Sequence, residues 1–110
     1  MELENLSQRA LEIRRQYAEL EHTRYGRPWT REDIALGFVG DVGDLAKLVL
    51  ARQGLRHIPE ADEKLAHELA DCFWSVLVLA EMYQVDLEQV FLKTMNELEQ
   101  HIAAQRAGSQ

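Results

Sequence analysis

Apolar residues recur at helical spacing in four blocks of this chain, and its turn-forming residues fall between those blocks, a pattern that calls for an all-α fold. The first block runs from about Leu3 to His22 and sets Leu6, Ala10, Leu11, Ile13, Tyr17 and Leu20 near one stripe; Gly26 and Pro28 of "YGRPW" then break it. Thr30 opens the second, with Asp33 of "TRED" at the third helical position of a capping box, and this block runs to Arg52. "QGLRHIPEA" is a connector, because Gly54 suits a helix C-terminus and Pro59 cannot sit in a helix interior. The third block covers Asp62 to Met82, and the fourth starts near Asp86, a cap in "DLEQ". The closing "QRAGSQ" is expected to fray, and no repeat or second domain is visible, so residues 1–110 are read as one domain.

A chain of 110 residues builds one modest core, while 46% of its residues are hydrophobic, more than a lone small bundle buries. Self-association is therefore expected. The formal charge of −7 argues against binding nucleic-acid polymers or an anionic membrane, and a polyphosphate ligand would need cations to bridge it. The single cysteine, Cys72, cannot staple the fold and suits a reducing compartment. Met1 leads into acids and polar residues and no long apolar run follows, so neither a signal peptide nor a membrane span is expected, and the cytoplasm is the expected location.

"GFVGDVGDLAKLV", residues 37–49, looks at first like a phosphate loop, but no strand precedes it and no Gly-Lys-Ser/Thr closes it. It lies within the second helical block. Gly37, Gly40 and Gly43 each cost a helix roughly 1 kcal/mol relative to alanine, and together they form a smooth strip along which another backbone or a ligand can approach closely. On the same helix Asp41 and Asp44 stand one turn apart on one face. The third block repeats the arrangement in "HELADCFW", where Glu68 and Asp71 are embedded among apolar neighbours, a costly place for acids without compensation. Antiparallel packing of these two helices can bring the pairs face to face, and four hard oxygen ligands suit Mg²⁺, with Mn²⁺ as a substitute.

These residues resemble the MazG-like all-α nucleoside triphosphate pyrophosphohydrolases, whose signature is E-E-x-x-E, a spacer, then E-x-x-D. Asp41 and Asp44 match the second and third acids of the first element, shortened from Glu to Asp; Glu68 and Asp71 match the second element unchanged, and the 23 residues between fit the spacer. "VGDLAKLVLA" is similar to the family's "VGELAEAI", and the likeness covers about residues 29–100. The resemblance implies a four-helix bundle assembling as a homo-oligomer, a dimer or tetramer, that uses Mg²⁺ to cleave a nucleoside triphosphate into monophosphate and pyrophosphate. It makes Asp41, Asp44, Glu68 and Asp71 the metal ligands and catalytic set, with one of them or Glu32 accepting the proton of the attacking water. Lys47 and Lys64 are candidates for meeting phosphates, and Lys93 and Asn96 stand where relatives carry a nucleotide-contacting segment.

Two departures matter. Gly40 occupies the place of the first glutamate, and Lys47 stands where many relatives have an acid, so a scaffold without turnover, serving as an interaction or regulatory module, is the alternative. Trp29 and Trp74 are read as core or interface before base-stacking groups, His67 as structural, and Cys72 as a buried thiol. A carboxylate-bridged di-iron bundle is set aside because neither Glu63 nor Glu68 has a histidine three residues later.

Overall fold

The four blocks are four α-helices: α1 (Leu3–Tyr25), α2 (Arg31–Arg52), α3 (Ala61–Met82) and α4 (Leu87–Gly108). They are seen in a computed structural model that describes residues 2–108, and no strand occurs among the described residues. The capping box forms as the sequence predicts: Thr30 Oγ1 accepts from the Asp33 N–H at 3.2 Å while the Asp33 carboxylate accepts from the Thr30 N–H at 3.0 Å. Arg27 adds an ion pair to Asp33 at 2.8 Å, which with the Thr30 amide holds that carboxyl below its ordinary pKa. Asp86 caps α4 by accepting from the Gln89 N–H at 3.1 Å.

The C-termini close by left-handed residues. Gly26 (φ 79°) ends α1, and Gly54 (φ 75°) follows α2, where the Gly54 and Leu55 amides return to Ala51 and Leu50. The same two-bond motif ends α3, but the left-handed position there is Gln84 (φ 57°), with Gln84 and Val85 donating to Glu81 and Ala80. α4 does not fray over 105–108: its last turns hold helix formers such as Ala103, Ala104 and Ala107 and continue to Gly108, while residues 109–110 lie outside the described residues.

α2 and α3 form the main packed pair, and α1 lies against α3. Ala10, Ile34, Leu77 and Val78 make the buried core, with Leu3, Leu6, Trp74, Met82 and Leu87 packed around it. The stripe expected on α1 is only partly the packed one. Tyr17 and Leu20 are 50% and 42% exposed, whereas Arg14 and Glu21 are buried. The reason is an ion pair: Arg14 Nη1 meets Glu21 Oε1 at 3.0 Å, that carboxylate accepts from the Trp29 N–H at 2.7 Å, and Arg14 Nη2 donates to the Trp29 carbonyl. The pair thus ties α1 to the segment leading into α2, with the buried charges satisfied by each other and by backbone. Trp74 spans the other side, its Nε1 donating to the Ala10 carbonyl at 3.1 Å.

The helices do not close into one bundle within the chain. α4 contributes no buried residue and has no packing comparable to that of the α2/α3 pair. The radius of gyration is 17.9 Å, against about 13 Å for a compact domain of this length.

Candidate metal centre

Helical spacing turns Asp41 toward α3 beside Ile34, Leu45 and Leu48, and turns Glu68 and Asp71 toward α2. Asp41, Asp44 and Glu68 each offer a carboxylate oxygen, and these atoms all lie within 4.8 Å of one another. Asp71, one helical turn beyond Glu68, stands beside that trio, and its Oδ2 is engaged by His67 Nε2 at 3.2 Å. Glu68 is the most constrained of the four. Its Oε1 is buried with no hydrogen-bond partner.

Burial raises the Glu68 pKa above its ordinary value. The adjoining Asp41 carboxyl raises it further, and Asp71 and Asp44 add repulsion. Burial, with Asp41, Glu68 and Asp71, raises the pKa of the half-buried Cys72 thiol, which disfavours a reactive thiolate. Three converging carboxylates, one with an orphaned oxygen, fit a hard divalent cation: charge and lone pairs are both left uncompensated by the protein.

Two hollows flank the acids. One, of about 560 Å³, is walled by Tyr17, Tyr25, Trp29 and Trp74 and reaches Asp41, Asp71 and His67. Tyr17 and Trp74 meet edge to face, their centroids 6.0 Å apart, and Trp29 lies over Gly37, where an added β-carbon would come within 3.5 Å of its ring. The other, of about 380 Å³, is lined by Lys47 and Lys64 together with Asp44, Glu60, Glu63, Glu68 and Ile58, and His67 borders both. A larger hollow of about 750 Å³ lies elsewhere, between the start of α1 and the α3–α4 turn, and collects Glu4, Glu81, Asp86 and Glu88 without a cation.

The remaining sequence candidates divide clearly. Lys47 and Lys64 are beside the acids. Lys93 and Asn96 are exposed on α4 and border neither hollow. Glu32 is in the first turn of α2, about 13 Å along the axis from Asp41 at 1.5 Å per residue, and its carboxyl, lowered by its own backbone amide and by Thr30, belongs to the helix start. Gly40 faces open space, with nothing within 4 Å of an added β-carbon. Tyr17 and Tyr25 line the first hollow, a placement that the sequence does not announce, because at helical spacing they read as core or loop. His67, read from the sequence as structural, contacts Asp71 at i,i+4 spacing.

The family model of the MazG nucleotide pyrophosphohydrolase domain matches residues 30–102. The chain belongs to this family. In this MazG domain the match takes in all four candidate acids, Trp29 lies just outside it, and α1, with Tyr17 and Tyr25, precedes it. Comparisons with curated proteins and with solved structures give no match.

Proposed function

We propose that this MazG domain is a Mg²⁺-dependent pyrophosphohydrolase that cleaves a nucleoside triphosphate to its monophosphate and pyrophosphate. The observation that carries the reading is the convergence of Asp41, Asp44 and Glu68, with an unpartnered buried oxygen, between an aromatic hollow and one in which Lys47 and Lys64 stand among Asp44, Glu60, Glu63 and Glu68. Asp41, Asp44 and Glu68 would hold the cation, with Asp71 joining them once it leaves His67. A divalent ion in such a set supplies charge neutralisation at phosphate oxygens and acidifies a coordinated water.

The chain's own groups set the direction of the substrate. Tyr17, Tyr25, Trp29 and Trp74 offer apolar faces for a nucleobase, and Lys47 and Lys64 offer positive charge to the β- and γ-phosphates, so the α–β anhydride lies at the acids. Water oxygen adds to the α-phosphorus while one of the carboxylates takes up its proton, the bond from that phosphorus to the bridging oxygen breaks, and pyrophosphate leaves with that bridging oxygen and its electron pair toward the lysines. Self-association and a cytoplasmic setting belong to the same reading, since much apolar surface is uncovered and the one cysteine is unpaired.

Gly40 favours a second reading, a family scaffold without turnover, because the first acid of the signature is missing. A panel of triphosphates with Mg²⁺, assayed for pyrophosphate, separates the two. Release at about 1 per second or faster, abolished by Glu68→Gln, supports the enzyme. No release from any triphosphate, with divalent binding intact, supports the interaction module.

A further inference from the structure

The fold uses only one of the two oxygens of Glu21. Its side chain is 9% exposed, and Oε1 accepts both from Arg14 Nη1 at 3.0 Å and from the Trp29 N–H at 2.7 Å. Oε2 accepts no hydrogen bond among the described residues, yet it is not sealed off as Glu68 Oε1 is. Glu21 lines the aromatic hollow of about 560 Å³, so the free oxygen opens on that space. Among the described polar side chains that line the hollow, Glu21 alone is buried. Arg24 borders the same hollow and makes no ion pair with it. The bonds to Arg14 and Trp29 hold the carboxylate in place, which makes Oε2 a preset acceptor that only a donor entering the hollow can satisfy.

We propose that Glu21 selects the nucleobase, favouring bases that carry an exocyclic amino group (cytosine, adenine or guanine) over uracil and its oxo analogues. The inference rests on the reading of this hollow as the nucleobase site. A base held between aromatic faces is read along its edge, and a carboxylate on the wall reads that edge for N–H donors. The amino group of cytosine or adenine projects such a donor, and guanine offers its ring N–H and amino group side by side. Uracil has a ring N–H, but a carbonyl stands on each side of it, and bringing that edge to Oε2 sets those oxygens against the carboxylate. An acceptor left buried against an oxo group loses its hydrogen bond and keeps its desolvation cost.

The test compares kcat/KM with Mg²⁺ for CTP against UTP and for ATP against ITP, pairs that exchange an amino for an oxo group; the pair turned over faster decides. The amino member should lead by about 10- to 100-fold, the range of one hydrogen bond to a charged group. Turnover with a ratio near or below one overturns the inference and leaves the pyrophosphohydrolase reading standing. Glu21→Gln keeps an oxygen for Arg14 and the Trp29 amide and turns an N–H₂ donor into the hollow, so the ratio should fall to one or invert. Arg14→Met breaks the same ion pair and keeps the carboxylate, so it should lower stability while retaining the preference. Equal ratios in the two variants overturn the inference. If no triphosphate is hydrolysed, the indole N–H signals of Trp29 and Trp74, the two tryptophans of the chain, are followed by NMR during titration with CMP, UMP, AMP and IMP. Tighter binding of CMP than UMP, or of AMP than IMP, upholds the role of Glu21 without turnover. Equal affinities within both pairs, or no response to any of the four, overturn it.

Discussion

Glu68 concentrates the tension of the site in one side chain. Its folded-state pKa is raised above the ordinary 4.5, chiefly by burial and then by Asp41. The native state therefore holds this proton more tightly than the unfolded chain. The resulting stabilisation is complete below the unfolded value and is lost as pH rises through the raised folded value. A cation takes over the proton's role above that window, so the gain in melting temperature from millimolar Mn²⁺ should be small in mild acid and grow toward neutral pH. Glu68→Gln should melt a few degrees higher than the natural protein without metal at neutral pH, since about 1 kcal/mol shifts a domain of this size by 4–8 °C, and should lose the metal-dependent gain. Melting curves with and without Mn²⁺ at several pH values check both; a gain independent of pH and of Glu68 contradicts the assignment. The buried Glu21 makes a different demand. Removing it in Glu21→Ala strands Arg14 and the Trp29 amide, at a cost of about 3–5 kcal/mol for a broken buried pair, measurable by denaturant unfolding.

At the scale of elements, helix ends show what sequence chemistry can and cannot announce. Thr30 and Asp86 were legible as caps because their side chains perform the capping themselves, and Thr30→Ala should cost about 1 kcal/mol in chemical denaturation. Gly54 was legible for a related reason, since a left-handed residue is most cheaply a glycine. Gln84 adopts the same conformation after α3 and was not legible, because a non-glycine residue gives no local signal of a left-handed position. Gln84→Gly should consequently stabilise the chain by about 0.5–1 kcal/mol or slightly more, seen as a raised unfolding midpoint at unchanged slope. The acid pairs were legible by spacing alone: three-residue separation fixes a shared face, and antiparallel α2 and α3 bring Asp41, Asp44 and Glu68 together. The aromatic hollow was not, since Tyr17 and Trp74 come from α1 and α3, and no local pattern reveals that α1 turns Tyr17 outward while Arg14 and Glu21 turn in.

For the whole molecule, the four helices were readable while their closure was not. Periodicity marks a helix as amphipathic but does not say whether its apolar face meets the same chain or another, and α4 is the case in point, with a regular seam and no buried residue. Lys93 and Asn96, candidates through the family resemblance, share that helix and line neither hollow beside the acids in the single chain. The four acids all lie on α2 and α3, so the chemistry proposed for them can be tested directly. Hydrolysis of a triphosphate in ¹⁸O-labelled water with Mg²⁺, followed by phosphorus NMR, reports both whether the bond is broken and which phosphorus the water attacks. Attack at the α-phosphorus puts the label in the nucleoside monophosphate, leaves pyrophosphate unlabelled, and is lost with both products in Asp44→Asn and Glu68→Gln. Label in released phosphate or pyrophosphate, or turnover unaffected by either substitution, would contradict it.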